Sequence, residues 1–249
     1  MKLWGGAKEI VVHCYTDRAE VYNYFPIVDN KKIIPDWFKK LKAPFFNSPE
    51  DKEMNLKLCP GYTNLFKTGF TIPLWSDLFL EIGEESSDYY RWQYSDNVSG
   101  IELHREHEYS KNFKKEEYQH LKLISPWYFQ CEDDINFLAV EPFWQFKELK
   151  NISILSGSTQ FKSQHGTNIN LFVRRETEKQ NILLNAGMPL YTFVPITERK
   201  VRIETHLVSF KKIKSLLNAA YPMTFINHYG AALKLAKARK CPYKFDAED

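Results

Sequence analysis

The sequence predicts a mainly β protein of α+β type: a strand-built body with short helices before it and two helices after it. Three observations lead there. From Tyr89 onward, short runs of β-branched and aromatic residues are divided by turn residues, the pattern of a sandwich, barrel or related all-β body. No helical periodicity interrupts that run, so a parallel sheet built from βαβ units is not expected. Helical spacing is confined to the two ends.

In chain order, residues 9–15 (EIVVHCY) are apolar and β-branched and predict a strand. Asp17 is placed to cap a short helix over RAEVYNYF, which Pro26 ends. Residues 35–41 (PDWFKKL) predict another, with proline in the first turn and Asp36 where the helix dipole favours a carboxylate. A loop with Pro44 and Pro49 follows. Pro60 opens a helix of about two turns that Gly69 closes. In FTIPLWSDLFLEI, Pro73 cannot donate to a ladder and predicts an edge strand or a bulge.

Strands are then expected in DYYRWQY, GIELHREHEY, YQHLKLISPWYF, INFLAVEPFW, ISILSGSTQF, NINLFVRR, NILLN, LYTFVPI and KVRIETHLVSF. Within them, residues 169–196 read as strand, polar turn, strand, glycine turn, strand. The charged RRETEKQ is expected at a solvent-exposed hairpin tip. Helical spacing returns over 210–220 and 223–239, where Phe225, Tyr229, Ala232, Leu233 and Ala236 form one stripe. The expected organisation is one domain over 1–249, with a mixed region 1–69, a β body 70–209 and a helical decoration 210–249.

Bulk composition narrows the function. Aromatic residues make up 15 % of the 249 residues, enough large rings for a sizeable core and too many for a disordered chain. The 34 basic and 31 acidic residues nearly cancel, which removes any global electrostatic case for nucleic acid. The basic excess is local, and Lys234, Lys237, Arg239 and Lys240 form the one face that could touch nucleic acid or an acidic partner. Cys14, Cys59, Cys131 and Cys241 are scattered without a CxxC, which fits a reducing compartment. No long apolar segment predicts a signal peptide or a membrane span, so a cytoplasmic protein without membrane contact is expected.

The densest chemical cluster is His104-Arg105-Glu106-His107-Glu108. On a strand, His104 and Glu106 share a face and could supply two ligands of a facial metal triad. His206, in IETHLVS, is the best-placed third ligand, with His165 and His120 as others. The metal would be iron or another divalent ion; the competing reading is a charged strand face with no cofactor. Ser156-Gly157-Ser158 lacks the context of a nucleophile elbow. The acids 132–134 would raise the Cys131 thiol pKa, which is wrong for a nucleophile. Asp133-Asp134 could hold a hard cation or form a polar turn. Neither common phosphate-cradling loop is present. Of Trp37, Phe38, Trp75, Trp92, Trp127, Tyr128, Phe143 and Trp144, most are expected in the core and one or two on the surface.

Residues 121–128 (LKLISPWY), 140–144 (VEPFW) and 187–196 (GMPLYTFVPI) resemble an uncharacterised protein family of tailed bacteriophages. Residues 34–38 (IPDWF), 59–61 (CPG) and 72–77 (IPLWSD) resemble its N-terminal half. The stretch 168–196 is also similar to the closing strands of the β-clip enzymes dUTPase and dCTP deaminase, except that Tyr191-Thr192 stand where that group has Ala-Gln. The resemblance implies a β-clip or jelly-roll-like body. It further implies a phage-encoded, non-enzymatic protein: a virion component or an assembly factor, working with other phage proteins or as a homo-oligomer in the host cytoplasm or the virion. Two alternatives stand beside it. One is an enzyme, either a dUTPase-like nucleotide hydrolase or a metal oxygenase using His104, Glu106 and His206. The other is a nucleic-acid-binding accessory using the basic C-terminal face.

Overall fold

The computed structural model describes residues 8–42, 56–85, 89–95, 100–103, 117–142, 144 and 149–220. It is a mixed α+β fold dominated by strands. The first strand, β1 (Ile10–Thr16), buries Ile10, Val12 and Cys14; strand alternation turns Val11, His13 and Tyr15 to the opposite face. Helix α1 (Ala19–Tyr24) buries Val21 against the same core. After β2 (Val28–Asp29), the Asp29 carboxylate accepts from the Lys31 amide at 2.9 Å and starts a single 3-10 turn. Helix α2 (Asp36–Lys40) begins directly after Pro35, and α3 (Pro60–Lys67) begins at its proline, as the sequence predicts. These helices enclose a small apolar cluster of Phe38, Phe66 and Trp144.

The remaining strands are β3 (Phe70–Pro73), β4 (Leu78–Ile82), β5 (Tyr90–Tyr94), β6 (Ile101–Glu102), β7 (Tyr118–Cys131), β8 (Phe137–Val140), β9 (Ile152–Ile154), β10 (Gly157–Thr159), β11 (Gly166–Arg174), β12 (Gln180–Leu184), β13 (Pro189–Pro195) and β14 (Val201–Leu207). They form a six-stranded sheet of order β14-β1-β7-β11-β9 with β6 also on β7, a five-stranded sheet β10-β8-β13-β3-β2, and a three-stranded sheet β12-β4-β5. The first two sheets share a phenylalanine core. Phe129 comes from the first, and Phe70, Phe137 and Phe193 come from the second. Phe161 lies between them, 4.7 Å from both the Phe129 and Phe137 rings.

Prolines fall where the ladders permit them. Pro73 ends β3 beyond its pairing with β2 and lies opposite a register shift in β13, which realises the predicted bulge. Pro126 sits in β7 where the pairing to β11 jumps from Tyr128 to Ile124.

One expectation changes. The segment 169–196 is strand, turn, strand, turn, strand, but it forms no hairpin: β11, β12 and β13 belong to the first, third and second sheets in turn. RRETEKQ is therefore a crossing between sheets. Its Arg175 is buried and donates to the carbonyls of Gly83 at 3.1 Å and Tyr89 at 3.3 Å, and to Gln119 at 2.7 Å. Gly83 and Tyr89 flank the third sheet and Gln119 belongs to the first, so this side chain ties the two together. Among the described residues one parallel pair exists, between β1 and β14. It needs no βαβ unit, because these strands come from opposite ends of the described chain. The strand predicted in GIELHREHEY is described only as β6, its remainder lying outside the described residues.

Helix α4 (Phe210–Ala220) follows β14 and buries Ile213 and Leu216. The segment 223–239, where a second C-terminal helix is expected, lies outside the described residues, as do Lys234, Lys237, Arg239 and Lys240. Among the described residues no helix is long and apolar enough to cross a membrane.

Candidate metal centre

Strand alternation builds the site. On β14, Val201 and Ile203 pack against the core, so Arg202, Glu204 and His206 share the opposite face. On β1 the same alternation presents Val11, His13 and Tyr15 on that face. The parallel register sets His13 beside Glu204 and Tyr15 beside His206. As a result, His13 Nδ1 lies 3.0 Å from His206 Nε2 and 3.3 Å from Glu204 Oε2. One ligand atom from each of these residues lies within 4.8 Å of the other two. Donor atoms about 2.1 Å from a common metal stand roughly 3.0–3.4 Å apart, so the two short separations have the spacing of a shared ion.

The electrostatics favour ligation. Burial lowers the His206 pKa, helped by the nearby His13 and Lys212 and opposed by Glu204, so the ring is held neutral as a ligand must be. The Arg202 hydrogen bond holds the Glu204 carboxyl below the usual carboxylate range, which keeps it ionised. The Tyr15 ring stacks on His206 with centroids 5.0 Å apart and planes 25° from parallel, fixing the imidazole. Burial, then Cys14 and Glu204, push the Tyr15 phenol up to about 12. It stays protonated and donates to Gln130 at 3.4 Å.

His206 was expected as a ligand, but the partners the structure gives it are His13 and Glu204. His104 and Glu106 lie outside the described residues. Glu204 and His206 carry, in reverse order, the imidazole–x–carboxylate spacing that singles out His104 and Glu106, so that signal is present in IETHLVS. His13 was read only as part of an apolar strand. Its signal was an imidazole on the outward set of an alternating strand, and nothing in the sequence set that strand beside β14.

The other candidates have structural roles. His165 is buried and holds the Phe129 carbonyl through Nδ1 at 2.8 Å; burial lowers its pKa. His120 bonds Asn170 at 3.0 Å and stacks on Phe172. Asp133 pairs with Arg199 at 2.7 Å, and Asp134 accepts from Gln160, which makes this a tied turn. Burial pushes the Cys131 thiol up to about 11, and Cys14 is raised by burial as well. Cys14, Cys59 and Cys131 are free thiols. Ser158 sits on β10, the edge of the second sheet. Trp75, Trp127, Trp144 and Phe38 are buried while Trp37 and Trp92 are exposed, the expected division; Phe143 lies outside the described residues.

Tyr191 and Thr192 are turned inward. Tyr191 donates to the Leu155 carbonyl at 3.0 Å, and the Thr192 hydroxyl meets that of Thr71 at 2.8 Å. No protein-family model, curated protein or solved structure matches this chain.

Proposed function

We propose that this chain is a metal-dependent enzyme whose centre is a two-histidine, one-carboxylate site formed by His13, Glu204 and His206. The observation that carries the reading is His13 Nδ1, 3.0 Å from His206 Nε2 and 3.3 Å from Glu204 Oε2 across a parallel strand pair. Structural zinc sites close with four protein ligands, whereas catalytic sites keep a position open. Among the described residues the site has three protein ligands, which places it with the second kind. Imidazole and carboxylate suit iron, manganese or zinc. Such a metal would polarise a bound oxygen or activate water, while the protein holds the donor atoms in place.

Calorimetric titration of metal-depleted protein with Fe²⁺, Mn²⁺ and Zn²⁺ tests this reading. One-to-one binding is expected, with loss in His206→Ala. Structural zinc contributes about 10–16 kcal/mol over four ligands, so one ligand is worth ~3 kcal/mol, roughly a hundredfold in affinity. Absence of binding by the wild type removes the reading.

The finer architecture belongs to the same proposal. A jelly-roll-like body is supported by two sheets facing each other across a phenylalanine core, and a β-clip by the weave of 169–196 through the sheets. The phage resemblance supports a second reading, a virion component or assembly factor encoded by a tailed phage. Its motifs include the buried Phe38, Trp75, Trp127 and Leu190, so they speak to packing rather than to a site. Mass spectrometry of purified virions distinguishes the readings: stoichiometric copies favour the second, absence the first.

A further inference from the structure

We propose that Arg202, steadied by Glu9, is a positioning residue that makes Glu204 a one-oxygen ligand and so keeps coordination positions open for a small exogenous anion. The inference rests on the metal-centre reading and concerns how that centre is held open.

The two oxygens of Glu204 already have separate partners. Oε2 is the atom 3.3 Å from His13 Nδ1. Oε1 accepts from Arg202 Nη1. Arg202 lies two residues before Glu204 on the same strand face, so the contact follows from β14 geometry. The guanidinium is held from its other side as well: Nε donates to Glu9 Oε2 at 3.1 Å, and Glu9 Oε1 takes Lys200 Nζ at 2.8 Å. Fixed between two carboxylates, the planar fork has little freedom to release Oε1. A carboxylate with both oxygens free can chelate and fill two positions on a metal. With Oε1 bound to Arg202, Glu204 fills one. The described residues then supply three donor atoms, and an octahedral ion held by these three keeps about three positions for water or anions. The bland alternative is a surface ion pair with no effect beyond a small one on stability.

Co²⁺ separates the two, because its visible spectrum reports coordination number and a merely structural pair does not move it. Metal-depleted wild type, Arg202→Gln, Arg202→Lys and Glu9→Gln are titrated with Co²⁺ and then with azide. The wild-type Co²⁺ spectrum is expected to shift on azide binding. Arg202→Gln should bind Co²⁺ about 10–100-fold more weakly and lose the azide shift as Glu204 turns to chelate. Arg202→Lys should recover part of that shift. Glu9→Gln leaves Arg202 in place but unsteadied, and should fall between, which keeps the test decisive if Arg202→Gln folds poorly. Wild-type affinity and azide response in both Arg202→Gln and Glu9→Gln overturn the inference. Wild-type protein with no saturable Co²⁺ absorption overturns the metal centre itself, and this inference with it.

Discussion

His13 and His206 stand 193 positions apart in the chain, yet Nδ1 of one lies 3.0 Å from Nε2 of the other. The parallel register of β1 with β14 brings them together, and among the described residues β1 is the strand that pairs with β14. A metal bound there joins β14 to the strand beside it. A ligand that binds only the folded state stabilises it by about 2.7 kcal/mol at a hundredfold excess over Kd. Zn²⁺ at that excess is expected to raise the thermal midpoint of chelator-stripped protein in scanning calorimetry. His13→Ala and His206→Ala should abolish the rise. An equal rise in both variants would place the metal elsewhere.

Gly69 and Gly187 have nearly the same backbone, φ +86° and +81°, and opposite surroundings. A Cβ on Gly69 would lie 1.9 Å from the Phe193 carbonyl oxygen, whereas one on Gly187 meets only the Phe25 ring at 3.8 Å. Gly187→Ala is expected to cost about 1–2 kcal/mol, the penalty of the left-handed conformation. Gly69→Ala should cost well beyond that, since backbone of the central strand β13 must move. Urea midpoints of the two variants check this; equal losses would contradict the close approach at Gly69.

A buried chain of hydrogen bonds crosses from β13 to the end of α3. Thr71 gives its hydroxyl hydrogen to Asn30 Oδ1 at 2.7 Å, so Thr192 is the donor in its 2.8 Å contact with Thr71. Asn30 Nδ2 passes the chain to the Thr68 carbonyl at 2.7 Å. Thr192→Val keeps the shape and removes the first donor, for an expected loss of about 1 kcal/mol. Asn30→Ala removes the middle of the chain and strands both neighbours, so about 2–3 kcal/mol is expected. Chemical denaturation measures both, and a larger loss in Thr192→Val than in Asn30→Ala would contradict this order.

His165 gives the fold a pH dependence. Burial lowers its pKa in the folded protein below the ordinary value of 6.5. The unfolded chain therefore binds a proton more readily between the lowered and the ordinary pKa. Stability from this residue is full above the unfolded value and falls as pH drops toward the folded one. The urea midpoint of wild type should fall on acidification from pH 7.5 to 5.0, and His165→Gln should show a smaller fall. The same fall in both would assign the dependence to other groups.

Most of the element list was legible because it rests on local rules. Pro60 and Gly69 bracket α3, Pro35 precedes α2, and the predicted span of α4 is its observed span. Strand runs were equally readable from alternation and turn residues. Partnership was not. The segment 169–196 showed strands and turns but could not show that each strand joins a different sheet, since a charged turn such as RRETEKQ serves a hairpin and a crossing alike.

The sequence by itself determined the strand-dominated class, the helix limits at prolines and glycines, and the division of rings between core and surface. These follow from backbone sterics and alternation over a few residues. Only the tertiary structure decided that Arg175 is buried between two sheets and that His13 meets Glu204 and His206. Each depends on a register between strands far apart in the chain. Register is set by how whole sheet faces fit their cores, and no short window of sequence contains it.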